Sequence, residues 1–247
     1  DYGTKYPQRL TPETSNGTTV MAEGMTATDN DKNPVREPSL VRLDDSAYNE
    51  AKSILFQAYR HEPTFQYLFD HRKPGYEKRV RATIRELLNL HFETNQEAIG
   101  IMADNTLVAV AFIGEPELRI NLAELLSWRL RMVLTAGFAS TRRYLDYHEK
   151  IRSMLPEGDT FQLPLMGVHP KYQNRGFGRM LLTAVERLCA QNPRGNGLVL
   201  DTGNSRYLPF YESEGFRSLG TIRLGDYEDF VLFRDADAPP MASVPSG

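Results

Sequence analysis

Residues 165–182 read Leu165-Met166-Gly167-Val168-His169-Pro170-Lys171-Tyr172-Gln173-Asn174-Arg175-Gly176-Phe177-Gly178-Arg179-Met180-Leu181-Leu182, and this stretch decides the fold. An apolar strand runs through a glycine-containing turn directly into an amphipathic helix. Gly176 and Gly178 have no Cβ, so the backbone on either side of Phe177 can approach a ligand closely. The N–H groups that open the helix lack partners within it and form the positive end of its dipole, which suits an anion. Arg175 and Arg179 flank the turn and are placed to add charge-assisted contacts to phosphate oxygens. The segment reads as a strand followed by a pyrophosphate-binding helix start. It has neither the Lys-Ser/Thr ending of a P-loop nor the three-glycine spacing of a dinucleotide fingerprint.

A second element follows: Leu198-Val199-Leu200-Asp201-Thr202-Gly203-Asn204-Ser205-Arg206-Tyr207-Leu208-Pro209-Phe210-Tyr211-Glu212-Ser213-Glu214-Gly215-Phe216. Gln173, Gly176 and Gly178 resemble the Gln/Arg-x-x-Gly-x-Gly/Ala signature of the GNAT superfamily of acetyl-CoA-dependent N-acetyltransferases, and Val168-His169-Pro170 is similar to that family's strand end. The second element resembles the strand, Asn-bearing turn and Phe-Tyr-Glu-x-x-Gly-Phe helix that completes the acetyl-CoA site in many members. Asp201 and Thr202, then Asn204, Leu208 to Glu212 and Gly215-Phe216 look like the puromycin N-acetyltransferase branch and its bacterial and fungal relatives. The resemblance is densest over residues 160–216, traceable over 40–156, and absent from the first 38 residues and the last dozen. Many relatives carry Gly where this chain has Asn174; Asn tolerates a left-handed backbone, so the turn is expected to survive.

The resemblance implies a cofactor and a set of roles. Acetyl-CoA would lie on Met166, Val168, Gln173, Asn174, Arg175, Gly176, Phe177, Gly178, Arg179, Asn204 and Tyr211. Met166 and Val168 would offer backbone groups of a splayed strand to the pantetheine amides and the acetyl carbonyl, with Gly167 marking a bulge. Asn204 would touch the pantetheine arm, or else cap the short helix behind it. Tyr211 is the candidate general acid: a phenol with an unperturbed pKa of about 10 stays protonated at neutral pH and can hydrogen-bond a leaving sulfur. Asp201 ends its strand at the sheet's opening, as an amine-binding group or base or else as a structural carboxylate bonding Thr202 or the Asn204 turn. Glu115 is a weaker base candidate, and Trp128 a pocket residue or core. His169, just before Pro170, reads as a turn residue, and no His cluster has metal-ligand spacing.

Composition sets the outer limits. The chain has 247 residues, 40% hydrophobic and 25% charged, enough for a full core in one domain. The formal charge of −3 gives no general reason to expect nucleic-acid binding. Cys189 is the only cysteine, so no intrachain disulfide or Cys-based zinc site can form, and its place on the apolar helix face reads as core. No apolar run nears the roughly 20 residues that span a bilayer. A cytoplasmic protein, monomeric or homodimeric, is the expectation. Residues 1–38 and 236–247 are poor in large apolar side chains and read as flexible tails around a domain at 39–235.

Between those tails helical and strand patterns alternate. Strands are expected near 40–43, 98–102, 107–113, 165–168, 197–201, 219–224 and 230–233, with Asp104-Asn105 as a hairpin turn. Helices are marked by Ala47 to Ala58, by Val80, Ile84, Leu87 and Leu88, by Leu122, Leu125, Leu126, Leu130 and Val133, by 141–154, by 177–190 and by 205–213. The expected fold is mixed α/β, the GNAT fold, with a central, mostly antiparallel sheet of about seven strands flanked by helices and splayed at the cofactor strand. Residues 121–155 form a helical insertion, broken near Ala136-Gly137, expected to lie over the acceptor side of the cleft. The expected activity is direct acetyl transfer to the primary amine of a small molecule, antibiotic-like or nucleoside-like. The alternatives are a protein or peptide acetyltransferase and a non-enzymatic acyl-CoA-binding module.

Overall fold

Among the described residues seven strands form one sheet: β1 (Ser39–Arg42), β2 (Ala98–Ala103), β3 (Thr106–Gly114), β4 (Asp159–Val168), β5 (Gly195–Thr202), β6 (Arg217–Leu224) and β7 (Tyr227–Asp235). Their spatial order is β1-β2-β3-β4-β5-β7-β6. Only β4 and β5 run parallel; every other neighbouring pair is antiparallel. The computed structural model describes residues 37–116 and 121–237. Most of the anticipated N-terminal tail, and all of the C-terminal one beyond Asp237, lies outside them.

Among the described residues seven α-helices cover the sheet: α1 (Tyr48–Tyr59), α2 (Pro63–Leu68), α3 (Tyr76–Glu93), α4 (Leu122–Ala136), α5 (Phe138–Met154), α6 (Phe177–Cys189) and α7 (Leu208–Ser213). α1 to α5 pack on one face around Leu55, Phe56, Ile84, Leu88, Phe112 and Met132. α6 fills the other face with Leu181, Leu182 and Val185 against Ile99, Ile101 and Leu200. β3 lies between both layers, which is why its sequence is a continuous apolar run rather than an alternation. α6 is the crossover that a parallel β4–β5 pair requires. At Asp104-Asn105 both φ angles are positive, 49° and 60°, as a two-residue hairpin turn demands.

The sheet opens at its centre. β4 and β5 pair only from Asp159 with Gly195 to Gln162 with Val199. Beyond that point Leu165 to Val168 pair with β3 alone, and Leu200 to Thr202 with β7 alone. Pro164 stands where the pairing stops and has no N–H to offer β5.

Two expectations change. α2 was not legible as a periodic pattern, being only six residues long. The apolar set that marked α4 is also not its buried face: Leu122, Leu126 and Leu130 are 71%, 54% and 59% exposed, whereas Trp128, Met132 and Ala136 are buried. An ion pair sets this rotation. Arg131 Nε lies 2.9 Å from Glu86 Oε2 of α3, a carboxylate also held by Arg85 and only 2% exposed, so α4 must turn Arg131 inward. Gly137, at φ 88°, breaks the helical run between α4 and α5. Among the described residues no helix is long and apolar enough to cross a membrane.

Candidate functional site

The gap between β4 and β5 leads into a cavity of about 680 Å³ that reaches both faces of the sheet. Its first end is the turn before α6. Asn174 and Gly176 both adopt left-handed backbone, φ 61° and 81°, so the departure at Asn174 leaves the turn intact. A Cβ on Gly176 would meet nothing within 4 Å, and one on Gly178 only Phe210 at 4.0 Å. Protein packing therefore does not call for either glycine; the space they leave lies in front of the N–H groups opening α6. Gln173 Nε2 donates to Val168 O at 3.2 Å and ties the turn to β4. The turn fits a diphosphate, and the open edge of β4 fits an extended arm with amides, as acetyl-CoA has.

Along β4, the backbone groups of Met166 and Val168 face the gap. Met166 N–H donates to the Tyr59 hydroxyl at 3.1 Å. The expected bulge at Gly167 is absent: the register with β3 runs unbroken from Leu165 to Val168, and the irregularity falls between Phe112 and Gly114. Gly167 has a different use. A Cβ there would stand 3.0 Å from Ala58 Cβ and 3.4 Å from Leu55, so its absence lets α1 lie against the strand.

The second end is acidic and aromatic. Tyr147 of α5 donates to Asp201 Oδ2 at 2.6 Å. Glu62 caps α2, its carboxylate accepting from Phe65 N–H at 3.0 Å and from Gly203 N–H at 2.8 Å. Thr64 donates to Asp229 of β7, which is fully buried, with Oδ1 unpartnered among the described residues. The partners of these three carboxyls are thus backbone N–H groups, a phenol and a hydroxyl. Burial pushes Glu62 up to about 7. Burial also raises Asp201 and Asp229, and the charge of Asp201 raises Asp229 further. Tyr211 lies at this end too, its phenol pushed above its ordinary value by burial and by the charge of Asp201.

Of the residues nominated from sequence, Met166, Val168, Gln173, Asn174, Gly176, Phe177, Gly178, Arg179, Asp201 and Tyr211 line this one cavity. Four do not. Arg175 stacks on Tyr172, 5.3 Å from the ring centroid. Asn204 accepts from Arg206 N–H as a helix cap, the second of its two readings. Glu115 lies in a separate cleft beside Arg42 and Cys189. Trp128 is buried behind the cavity wall, its ring 6.1 Å from Tyr144, and its N–H finds no acceptor among the described residues. Arg179 lines the cavity, but its Nε is held 2.5 Å from Glu214 Oε1. Asp201 bonds neither Thr202 nor the Asn204 turn; Thr202 Oγ1 accepts from Asn204 N–H instead.

Sequence reasoning missed Tyr59, Glu62, Tyr147 and Asp229. Glu62-Pro63 is a readable helix start, an N-cap acceptor followed by Pro at N1. Tyr144, Tyr147 and Ile151 share one face of α5. Asp229 carried a weaker signal, an acid near the start of a strand, where Asp is disfavoured, directly before the apolar run Phe230 to Phe233. Of the insertion, α5 supplies cavity wall through Tyr144, Tyr147 and His148, whereas α4 lies behind it against α3.

Residues 132–218 match the acetyltransferase (GNAT) domain family. A crystal structure described as histone acetyltransferase HPA2 and related acetyltransferase from Corynebacterium glutamicum superimposes with a TM-score of 0.59 at 18% identity, over 85% of this chain and 100% of that one. The fold is the GNAT fold. Arylalkylamine N-acetyltransferase 2 from Aedes aegypti superimposes at TM-score 0.61 and 11% identity, covering 82% of this chain and 100% of its own. Drosophila melanogaster polyamine N-acetyltransferase, which forms N-acetylagmatine, gives 0.55 at 13% identity, over 80% and 98%. No curated protein matches the sequence.

Proposed function

We propose that this protein is an acetyl-CoA-dependent N-acetyltransferase that passes acetyl directly to the primary amine of a small molecule. One observation carries the reading: a single cavity through the splayed sheet joins an anion-binding helix start to a buried group of carboxyls and a phenol. Acetyl-CoA would be held by the Gln173 to Arg179 turn and by the edge of β4 that β5 has left, at the Met166 carbonyl and the Val168 N–H, and brings the thioester that the reaction consumes. The chain's own groups do the rest. Asp201 and Glu62 attract the ammonium form of the acceptor, since the cation they lack among their hydrogen-bond partners arrives with it. Asp201 takes the proton that must leave before the nitrogen can attack. Tyr211 gives its proton to the departing sulfur and recovers the second proton that the nitrogen loses as the amide forms, while Asp201 releases the first to solvent, so the net change is ammonium and thioester to amide, thiol and one proton.

A cationic acceptor follows from the charge, and a small one from the aromatic wall of α5. Polyamine-like amines and the antibiotic-like amines of the puromycin N-acetyltransferase branch both meet those terms. Cys189, in the separate cleft beside Glu115, plays no part: burial pushes its thiol up to about 12. A reducing cytoplasm suits the chain. The test is thiol release from acetyl-CoA over a panel of small amines and peptides. Release with at least one cationic small amine, and none with peptides, is the expected result. Binding of acetyl-CoA without release for any amine would leave a carrier module instead.

A further inference from the structure

Met166 N–H points out of β4 on the side that β5 has left, and the group it meets there is the Tyr59 hydroxyl. A phenol that accepts through its oxygen still has its own proton to give, and Tyr59 lines the cavity. Its position is fixed from three sides. Gly167 lets α1 lie against the strand, as the 3.0 Å approach to Ala58 shows. Tyr59 is the last residue of α1, and its ring packs on Phe65 with centroids 4.7 Å apart. Burial raises its pKa well above the ordinary value; the Met166 N–H pulls the other way, the nearby carboxylates of Asp201 and Glu62 add to the rise, and the phenol stays protonated.

We infer that Tyr59 is a further catalytic residue, donating a hydrogen bond to the carbonyl oxygen of the acyl group while Met166 N–H polarises the phenol from behind. This rests on the acetyltransferase reading above. The Tyr59 proton is not transferred. As the amine nitrogen bonds to the carbonyl carbon, the C=O π pair moves onto oxygen, and the Tyr59 hydrogen bond strengthens there. When that pair returns, the C–S bond breaks, the sulfur takes its proton from Tyr211, and the nitrogen gives up its extra proton, which restores Tyr211. A donor already aimed at the oxygen that gains charge needs no reorganisation, and accepting an N–H makes a hydroxyl a better donor.

Tyr59→Phe keeps the ring against Phe65 and removes only the hydroxyl; Tyr59→Leu is a second variant without it. The probe is acetyl-CoA carrying a ¹³C-labelled carbonyl, bound to the full chain, with its infrared stretch read beside calorimetric affinity and turnover. The wild type should lower the stretch relative to water. Both variants should lose most of that shift at nearly unchanged affinity, with kcat down by about 10²–10³, the usual effect of deleting one such donor. An identical stretch in wild type and variants, or kcat at or above the wild type, overturns the proposal: the phenol would then only cover the Met166 amide until the acyl group displaces it. If acetyl-CoA fails to bind the wild type, the acetyltransferase reading falls first and takes the Tyr59 role with it.

Discussion

The two ends of the cavity are built from different kinds of chain. The end proposed for the anion is seven consecutive residues, Gln173 to Arg179, which offer backbone N–H donors. The end proposed for the acceptor collects Tyr59, Glu62 and Thr64, then Tyr147, then Asp201 and Tyr211, then Asp229; the Thr64–Asp229 hydrogen bond alone joins residues 165 apart in sequence. A backbone cradle is a local conformation, fixed by Asn174 and Gly176 in left-handed geometry. A side-chain cage exists only after the sheet and its helices have packed. The two ends should therefore fail in different ways when altered.

The largest effect is expected at the local end. Gly176→Asp places a side chain and a negative charge in the open space before α6, and acetyl-CoA binding should be abolished by calorimetry. Gly176→Ala separates the causes, because a Cβ there meets no protein atom and the cost is only the left-handed backbone, about 1–2 kcal/mol of stability. Unchanged affinity in Gly176→Asp would remove the phosphate assignment.

At the acceptor end the loss should appear in turnover instead. Tyr211→Phe should lower kcat by roughly 10²–10⁴, the range for general acid–base catalysis, and leave acetyl-CoA affinity nearly constant. Asp201→Asn should shift the acid limb of the pH profile and raise the acceptor KM. Full turnover in both variants would leave the chemistry without its named residues, even with the cradle intact.

This division also explains what the sequence could reveal. The strand–turn–helix unit was legible because glycine and Asn174 state a backbone geometry directly. The splay was anticipated only through resemblance; its local mark, Pro164 in mid-strand, is interpretable once β5 is known to stop pairing there. Tyr211 and Asp201 could be nominated from sequence because they sit in contiguous patterns. Tyr59 carried no such mark, since what lets it reach Met166 is the absence of a side chain at Gly167, more than a hundred residues away. α4 misled for a related reason. Its leucines repeat at four-residue spacing, but the Arg131–Glu86 contact, invisible to periodicity, decides which face turns inward.

The smallest effect is on stability, and it sharpens the contrast because only the acceptor end titrates. Glu62, Asp201 and Asp229 are raised in the folded protein, so it holds more protons than the unfolded chain from about pH 4 up through the value of about 7 at Glu62. Their contribution is fully present below that window and is lost as pH rises through it. His91 and His148 act oppositely: burial lowers both to about 4, so they cost stability as pH falls below about 6.5. The two sets oppose each other between about pH 4 and 6.5, and above that only the carboxyls remain. The melting temperature should therefore decline from pH 6.5 to 8.5, by roughly 5 °C if the net loss is one to two kcal/mol. Asp229→Asn removes a buried charge and should recover much of this decline at pH 8.5 while changing little at 6.5. An equal loss of stability at both pH values would show that Asp229 is not a charge the fold strains to keep. A cationic amine that binds at this end should flatten the same slope, because it supplies the counter-charge that protons otherwise provide; a ligand that occupies only the Gly176 turn should raise the melting temperature without changing the slope.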